Sequence, residues 1–430
     1  MLDIQLIREK PEAVRQALLK RMDQVDFSEL LEWDQQRRSL IQETESLKAE
    51  RNQISTEIGR LRREGQPAEA IIDKMGDVSA RIKALDGQVG ELEARIQQIL
   101  AGLPNIPDED VPPGGKENNQ VIHQWGVKPY FDFKPKDHVD LVTSLNLIDY
   151  ERGVKLGGNG FWLYRGLGAR LEWGLLNYFI QEHLKDGYEL ILPPHILTYE
   201  SGYAAGQFPK FEDDVFLLEQ SESKSYRQFL LPTAETALIN LHRDEILAEE
   251  ELPKKYFGYT PCYRKEAGSY RASERGMIRG HQFNKVELFQ FTHPGQSDAA
   301  LAELLEKGER LMQGLGLHYQ VSKLAARDAS AAMAKTYDIE VWIPSMNEYK
   351  EVSSASNARD YQARRGMIRF KSKESSKNRL VHTLNASGLA TSRLFPAIVE
   401  QFQQADGSVL VPEVLQGWVG TEVIRPERKK

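Results

Sequence analysis

The sequence predicts an α+β protein in which a long helical hairpin precedes a body built on an antiparallel sheet. Three observations support this fold class. Apolar residues recur with heptad spacing across residues 27–100, short strand-like segments dominate after residue 187, and helical segments stand apart from those strands. The chain has 430 residues, enough for two or three domains with a large core.

The composition is that of a soluble globular protein, with 40% hydrophobic and 28% charged residues. No apolar run approaches membrane-spanning length, and the N-terminus has no signal-peptide core. The only cysteine is Cys262 and the histidines lack ligand spacing, so we expect no disulfide, no zinc cluster and a reducing cytoplasm. A net charge of −7 argues against a general nucleic-acid coat but leaves room for a local basic face.

The first element is the helical hairpin, which we call the arm. A turn at residues 65–67 (Gly-Gln-Pro) separates two helices of roughly 35 residues, which fold back antiparallel into a rod about 50 Å long. A short helix over residues 12–19 packs at its base. The heptad seam consists of Trp33, Leu40, Leu47, Ile54 and Leu61, then Ile71, Met75, Val78, Ile82, Leu85, Val89, Leu92, Ile96 and Ile99.

The role of the arm is open from its residues alone. Basic side chains lie along it with acids between them, and mixed signs usually mark a solvated coiled-coil face. This pattern favours a spacer or dimerisation rod over an arm that reaches a large partner. The basic residues are Lys48, Arg51, Arg60, Arg62, Arg63, Arg81, Lys83 and Arg95.

The body follows a proline-rich linker at residues 103–119. We expect helices over 171–184, 297–312 and 388–404, and strands over 187–192, 340–343, 349–354, 367–371 and 380–384. Pro193 and Pro194 end the first of these strands, which predicts a sheet edge or an interface. No Gly-x-Gly-x-x-Gly follows a strand and no Gly-x4-Gly-Lys-Ser/Thr occurs, so a Rossmann or P-loop nucleotide site is not expected.

Residues 256–291 are the most informative segment. Strands over 256–264 and 285–291 flank a glycine-containing loop with Arg271, Arg275 and Arg279. Pairing brings Arg264 and Glu287 close together on one sheet. A guanidinium grips phosphate or carboxylate and a carboxylate holds an ammonium, which suits an amino acid beside a nucleotide. The alternative is a surface hairpin with solvated charges.

Three further segments contain candidate site residues. Thr233 and Glu235 share one face of an extended chain, although Thr233 also suits a helix N-cap. Residues 351–357 (Glu-Val-Ser-Ser-Ala-Ser-Asn) offer oxygen ligands for magnesium, or form a polar turn. Arg393 lies in the first turn of a helix, where a cation opposes the helix dipole unless an anion binds nearby; an ordinary surface arginine is the alternative.

In this order and behind this arm, these segments resemble those of bacterial-type seryl-tRNA synthetases, which are class II aminoacyl-tRNA synthetases. The resemblance covers the whole chain and is most specific at 233–235, at 263–269 with 281–287, and at 351–357. It implies an N-terminal tRNA-binding domain over 1–103, a linker over 104–124 and a catalytic domain over 125–430. It also implies a cytoplasmic homodimer that uses ATP and Mg²⁺ to attach serine to tRNA(Ser), with tRNA(Sec) open as a second acceptor.

The resemblance also implies residue roles. Pro194 is the dimer-interface proline, and Arg264, Glu351 and Arg393 are the catalytic set. The serine site is Thr233, Ala234, Glu235, Arg264, Glu287 and Ser387. The ATP site is Arg264, Lys265, Glu266, Phe283, Glu351, Val352, Ser353, Ser354 and Arg393, and the metal ligands are Glu351 and Ser354. The tRNA-binding residues are Lys48, Arg51, Arg60, Arg62, Arg63, Arg271 and Arg275.

The sequence departs from the family pattern at three places. Residues 270–276 (Tyr-Arg-Ala-Ser-Glu-Arg-Gly) replace Ala-Gly-Arg-Asp-Thr-Arg-Gly in the loop that faces the acceptor stem. Ser392 replaces a glycine and Ala386 replaces the glycine of Asn-Gly-Ser-Gly, both beside the substrate site. Pro396 falls in the closing helix, which suits only a helix that begins close before it.

Two other functions compete with tRNA charging. A synthetase-like paralogue would pass its amino acid to another acceptor, such as a carrier protein, but it would have little use for the arm. A non-catalytic regulatory or scaffold homologue need not keep Arg264, Glu287, Glu351 and Arg393, whose burial is costly.

Overall fold

The computed structural model describes residues 1–219, 227–266 and 276–426, and it divides into two compact units, Met1–Pro104 and Asn105–Lys430. In the first unit, the long helices α3 and α4 pack along each other as the predicted hairpin. Helix α1 was not predicted, because six residues are too few to establish a period. The helices of this unit are α1 (Ile4–Glu9), α2 (Pro11–Leu18), α3 (Ser28–Arg63) and α4 (Glu69–Gly102).

The arm is held by an apolar seam and, near one end, by a buried acid. Ile54, Val78 and Ile82 of the predicted seam form the apolar cluster between α3 and α4, together with Ile58, which the seam did not include. Asp34 is fully buried and accepts hydrogen bonds from Arg8 of α1, at 2.9 Å, and from Arg37 and Arg38 of α3. Burial acts to raise the pKa of Asp34, but these arginine contacts outweigh it and lower the pKa.

The second unit is a mixed α+β body. Its helices are α5 (His138–Ser144), α6 (Tyr150–Gly157), α7 (Leu167–Lys185), α8 (Tyr199–Ala204), α9 (Glu235–Leu238), α10 (Ser297–Leu315), α11 (Tyr361–Arg365), α12 (Thr391–Gln401) and α13 (Glu413–Val419). Short 3-10 turns are Lys116–Asn118, Glu212–Asp214, Ile239–His242, Glu249–Glu251, Pro294–Gln296 and Pro344–Met346. Within the described ranges, no helix is long and apolar enough to cross a membrane.

The strands of this unit form one large sheet and several small ones. They are β1 (Gln120–Trp125), β2 (Ile148–Asp149), β3 (Leu163–Tyr164), β4 (Glu189–Ile191), β5 (Ile196–Thr198), β6 (Leu217–Leu218), β7 (Gln228–Leu230), β8 (Ile246–Ala248), β9 (Lys254–Tyr263), β10 (Gln282–Thr292), β11 (Tyr319–Lys323), β12 (Lys335–Ile343), β13 (Glu348–Arg359), β14 (Arg369–Lys371), β15 (Asn378–Leu380), β16 (His382–Ala390), β17 (Val409–Leu410) and β18 (Val423–Ile424).

The large sheet has the order β1-β11-β12-β13-β16-β10-β9-β4. Neighbouring strands are antiparallel except β4, which pairs parallel with β9 at the sheet edge. The edge position of β4 agrees with the prediction made from Pro193 and Pro194, since prolines cannot donate to a further strand. The antiparallel α+β fold class is therefore confirmed.

The two faces of the large sheet differ in character. Strand β10 alternates, so that Val286 and Leu288 lie in the main core with α7, α10 and α12, while Lys285 and Glu287 face the other way. A period of two therefore separates a packed helical layer from a polar face. The polar face contains the candidate site.

Two predicted element boundaries were wrong. Residues 388–390 continue β16 instead of beginning the closing helix, because β16 still pairs there with β10, where Lys285 lies opposite Ala390, although its pairing with β13 ends at Ala386. Helix α12 begins at Thr391, so Pro396 lies inside it as its sixth residue. Pro396 lies beyond the first four positions, whose N–H groups lack intrahelical partners in any helix, so it removes one hydrogen bond near the start of α12. In addition, residues 120–124, assigned to the linker, are strand in β1.

Candidate active site

The polar face of β9, β10 and β16 brings the predicted residues into one area. Glu287 lies opposite Gly258 of β9 and opposite Ser387 of β16. Phe283 is opposite Cys262, and the ladder continues to Arg264, whose N–H donates to the carbonyl of His281 at 3.0 Å. Residues directly opposite in antiparallel strands share a face, so the prediction that Arg264 and Glu287 lie on one sheet face is confirmed.

A buried ion pair lies at the centre of this face. Lys285 Nζ is 2.5 Å from Glu287 Oε2 and donates to Thr233 Oγ1 at 2.7 Å. Thr233 Oγ1 also lies 3.5 Å from Glu287 Oε2 and accepts the N–H of Glu235 at 3.3 Å. The N-cap of the short helix α9 is Ala234, so Thr233 is not its N-cap; Thr233 binds the first N–H of the helix from the position before the cap and also contacts the charged pair. Such a pair needs a full set of partners to repay its desolvation.

Glu235 is the second carboxylate of the group. Its Oε1 accepts from Gln362 Nε2 at 2.8 Å, and its Oε2 lies 3.4 Å from Asn385 Nδ2, which also donates to Glu287 Oε1 at 3.0 Å. Burial, followed by the charge of Glu287, raises the pKa of Glu235 to about 7. We call Thr233, Glu235, Lys285, Glu287 and Asn385 the pocket cluster.

Among the described residues, two groups of the pocket cluster, the Glu235 carboxylate and Asn385 Oδ1, lack partners that a ligand could supply. Glu287 is paired with Lys285, whereas Glu235 forms no ion pair with any lysine or arginine of the described ranges. Asn385 Oδ1 is buried and has no hydrogen-bond partner among the residues that the structure describes. A ligand carrying an ammonium and a further donor would satisfy both groups.

Arg264 lies beside the pocket cluster, at the end of β9. Its Nε donates to the carbonyl of Pro232 at 3.2 Å, and its guanidinium carbon is 5.2 Å from the centre of the Phe283 ring. No carboxylate of the described residues forms an ion pair with Arg264, so its guanidinium is available to an anion. Glu266, by contrast, is paired with Arg279 at 2.6 Å.

The last predicted group lies where β13 meets α12. Arg393 donates to the carbonyl of Glu351 at 2.8 Å, to Glu351 Oε2 at 3.5 Å and to the carbonyl of Ile278 at 3.3 Å. Ser354 donates to Asp338, which lies opposite it on β12. Burial and the nearby charge of Glu351 raise the pKa of Asp338. Within the described ranges, no group of three or more His, Cys, Asp and Glu side chains is arranged to hold a metal by itself.

The other predicted site residues differ in which of their atoms are buried or hydrogen-bonded. The side chains of Ala234 and Val352 are buried in apolar clusters, so only their backbone is available to a ligand. Ser353 Oγ donates to the carbonyl of Ser387 at 2.6 Å, and the N–H of Lys265 donates to the carbonyl of Asp214 at 2.8 Å. Arg271 and Arg275, with the atypical loop at 270–274, lie outside the described residues.

On the arm, the predicted tRNA-binding side chains differ in their partners. Lys48 pairs with Glu45 at 3.2 Å, and Arg60 pairs with Glu57 and Glu64 at 2.6 and 2.7 Å. Arg63 donates to the carbonyl of Gly59 at 3.1 Å. The side chains of Arg51 and Arg62 make no ion pair or hydrogen bond within the part of the chain that the structure describes.

Sequence reasoning missed three residues of the site. Lys285 is two positions before Glu287, and period two alone would have placed it on the same face. Asn385 is the first residue of the segment in which Ala386 replaces a glycine of the family pattern, but no role was assigned to it. Gln362 lies far along the chain from Glu235 in a segment with no recognised motif, so nothing in the sequence indicated it.

A further buried acid connects the elements that surround the site. Glu172 of α7 accepts from Thr391, the first residue of α12, at 2.5 Å, and from Asn284 of β10 at 2.7 Å. Thr391 lies two residues before Arg393, and Asn284 precedes Lys285. Burial raises the pKa of Glu172 to about 7. Glu172 thus joins the strand of the pocket cluster to the helix of Arg393.

We expect Glu172→Gln to change how stability depends on pH. A carboxyl whose pKa is raised on folding contributes stability below its ordinary pKa, 4.5, and loses it as pH rises through about 7. Glutamine does not ionise, so the variant gains about 2 kcal/mol over the wild type between pH 5 and pH 8, measured by urea unfolding at each pH. Glu151→Gln, at an exposed site on α6, is the control. A difference that does not change with pH contradicts this role.

Comparison with known proteins follows the same two units. The family model of the seryl-tRNA synthetase N-terminal domain matches residues 1–107, and that of the tRNA synthetase class II core domain (G, H, P, S and T) matches residues 216–402. A Clostridium acetobutylicum protein named "Serine--tRNA ligase 2" is 63% identical over 98% of this chain and 100% of its own. A Listeria innocua "Serine--tRNA ligase" is 47% identical over 98% of both chains.

Solved structures agree with these relatives. The crystal structure of seryl-tRNA synthetase from Pyrococcus horikoshii complexed with ATP has a TM-score of 0.92, 35% identity and full coverage of both chains. The cytoplasmic serine-tRNA ligase of Naegleria fowleri in complex with AMP has a TM-score of 0.87 and 30% identity, covering 100% of this chain and 99% of that one.

Proposed function

Because the chain belongs to the seryl-tRNA synthetases, within the class II aminoacyl-tRNA synthetases, we propose that its pocket cluster and Arg264 activate serine. The chain is an ATP-dependent serine–tRNA ligase that activates serine and charges tRNA. The observation that carries the residue assignment is Glu235, a half-buried carboxylate that has no ion-pair partner among the described residues and lies beside the Lys285–Glu287 pair.

In the proposed pocket, Glu235 receives the serine ammonium. This positive group pairs with a carboxylate that has no ion-pair partner among the described residues. The serine hydroxyl reaches Glu287, Asn385 Oδ1 and Ser387. Serine is favoured over alanine because alanine leaves those polar groups unpaired, and sites of this kind discriminate by roughly 10⁴-fold or more. Threonine is rejected sterically by its extra methyl group.

The proposed reaction has two steps. A serine carboxylate oxygen attacks the α-phosphorus of ATP, the bond to the β-phosphate oxygen breaks, and pyrophosphate leaves. The 3′-terminal hydroxyl of tRNA then attacks the seryl carbonyl, and AMP leaves. Arg264 holds the α-phosphate and the serine carboxylate together, Arg393 holds the γ-phosphate, and Phe283 and Glu266 contact adenine. Positioning and charge stabilisation provide most of the rate.

Magnesium belongs to the same proposal. The oxygens of Glu351 and Ser354 are ligands of the type that Mg²⁺ prefers, and two protein ligands are enough where phosphates and water complete the shell. Bound there, Mg²⁺ would neutralise phosphate charge. Asp338 accepts from Ser354 and so orients that hydroxyl. Titrating Mg²⁺ into nucleotide-binding assays of the wild type and Glu351→Gln tests the ligand assignment, which fails if both respond alike.

We also propose that the protein forms a homodimer. Exposed apolar side chains lie on α7 (Trp173, 56% exposed), just after β4 (Leu192, 74%) and on α13 (Trp418, 46%), and α7 packs against α13. Pro194 follows β4 at the sheet edge. We propose that a second copy covers this face. Light scattering should give twice the 49.0 kDa chain mass, and the chain mass itself would contradict this.

The acceptors are proposed to be tRNA(Ser) and, by the same arm, tRNA(Sec), in a cytoplasmic setting. Charging of each purified transcript with serine tests this directly. Serylation of tRNA(Ser) alone would remove tRNA(Sec) from the proposal, and charging of neither would leave the enzyme with another acceptor.

A further inference from the structure

Gln362 of α11 lies outside every segment that the sequence indicated, yet its side chain is completely buried against the pocket cluster. Its Nε2 donates to Glu235 Oε1 at 2.8 Å and to the carbonyl of Ala205 at 2.9 Å. Its Oε1 accepts from Thr383 Oγ1 at 2.7 Å. Both N–H donors of this amide and one lone pair of its oxygen are therefore in use.

The partners of Gln362 fix which way its amide faces. The carbonyl of Ala205 can only accept, so the nitrogen must lie on that side, and the second N–H then points at Glu235. A flipped amide would place its oxygen against two acceptors and leave both N–H groups without them. Thr383, whose hydroxyl rotates freely, suits the remaining oxygen. Gln362 is thus built to donate to Glu235.

The two carboxylates of the pocket cluster have different kinds of partner. Glu287 has Lys285 at 2.5 Å, while the side-chain partners of Glu235 within the described ranges are two neutral amides, Gln362 at 2.8 Å and Asn385 at 3.4 Å. The charged groups that act on Glu235 are Glu287 and Lys285 of β10 and Arg264, which follows β9. Gln362 makes the shortest hydrogen bond to this carboxylate, at Oε1, whereas Oε2 has only the long contact with Asn385 among the described residues and can still accept from a ligand.

We propose that Gln362 is a positioning residue for serine: it holds Glu235 through Oε1, so that Oε2, whose contact with Asn385 is long at 3.4 Å, can accept from the substrate ammonium. This inference rests on the proposed assignment of Glu235 to that ammonium. Gln362 then sets the affinity for the amino acid and leaves the affinity for ATP unchanged, because it contacts none of the residues assigned to the nucleotide.

The test is Gln362→Met, which keeps the length of the side chain and removes its donors. In ATP–pyrophosphate exchange we expect the KM for serine to rise about 10- to 100-fold, as for a lost hydrogen bond to a charged group, with the KM for ATP within twofold of wild type. The lost N–H also raises the pKa of Glu235, so the effect on serine KM should be larger at pH 6.5 than at pH 8.5. A merely structural defect would not depend on pH in this way.

Gln403→Met is the matched control. Gln403 is also buried, donates to the carbonyls of Lys136 and Glu400 at 3.0 Å each, and accepts from the N–H of Lys136 at 2.8 Å. Both variants lose the same number of hydrogen bonds, so their melting temperatures should fall alike, while only Gln362→Met loses serine affinity.

Three results would overturn the inference: an unchanged serine KM, an equal rise in the KM for ATP, or the same serine defect in Gln403→Met. If Gln362→Met does not fold, Thr383→Val decides, since it removes the donor that holds Gln362; a severalfold higher serine KM supports the inference and an unchanged one overturns it. A wild-type enzyme that fails to activate serine would instead overturn the proposed function itself.

Discussion

Arg264→Ala is expected to reduce serine-dependent ATP–pyrophosphate exchange by about 10³-fold or more, the range seen when a fixed cation at a phosphoryl group is removed. Arg264 is poised for this role because its backbone continues the β9–β10 ladder, its Nε is held by the carbonyl of Pro232, and no carboxylate of the described residues neutralises it. Charge that builds on the α-phosphate during attack would then have no partner. The measurement is kcat/KM for exchange, with folding checked by thermal melting.

Two companion variants sharpen this prediction. Arg264→Lys keeps the charge but loses the two-pronged geometry, so its activity should lie between those of the wild type and Arg264→Ala. Arg379→Ala removes an exposed arginine of β15 that contacts the Phe370 ring, and it should exchange normally. Normal exchange by Arg264→Ala would refute the site assignment.

Reversing charge at the end of α3 is expected to separate tRNA charging from serine activation. In the double variant Arg62→Glu with Arg63→Glu, kcat/KM for charging should fall about 10- to 100-fold at low salt, because phosphate contacts dominate affinity for nucleic acid. Both side chains are exposed in the last turn of the helix, and Arg62 forms no ion pair among the described residues. Exchange should stay at the wild-type level, since the pocket cluster belongs to the other unit.

The control exchanges an existing ion pair on the arm. Glu43 and Arg81 lie 2.8 Å apart between α3 and α4, and Glu43→Arg with Arg81→Glu keeps both the pair and the net charge. Charging by this variant should match the wild type. The dependence of charging on salt should weaken only in the Arg62 and Arg63 variant, by roughly one phosphate contact per lost cation. Unchanged charging by the Arg62→Glu, Arg63→Glu variant would contradict the tRNA-binding role and would support a spacer role for the arm, which its residues alone favour.

The arm and the polar sheet face were predictable because their signals are local. A heptad repeat identifies its own partner surface, and period two sorts the residues of each strand onto two faces, so that Arg264 and Glu287 share a face once β9 and β10 pair in the observed register. The predicted start of the closing helix was wrong at residues 388–390, since Gly388-Leu389-Ala390 resembles a helix start unless the pairing of this segment with β10 is known. Tertiary pairing outweighed local propensity there.

The missing part of the site depends on contacts between distant segments. Gln362 meets Glu235 across 127 positions, and Glu172 meets Thr391 across 219. A glutamine after a strand and a glutamate on a helix are ordinary in sequence, and only burial makes them exceptional. Lys285 differs, because alternation would have placed it beside Glu287, but a lysine in a strand is normally taken for a solvated residue. Burial is the property that sequence pattern specifies least well for polar residues.

The most direct test of the proposed serine pocket is ATP–pyrophosphate exchange by the full chain with Mg²⁺ and serine, alanine, threonine, cysteine or glycine in parallel. We expect exchange with serine and at least about 10⁴-fold lower kcat/KM with alanine, since alanine leaves the pocket cluster with unpaired groups. Comparable exchange with alanine or glycine would contradict the proposed serine pocket, and no exchange with any of the five would contradict the placement of the activation site.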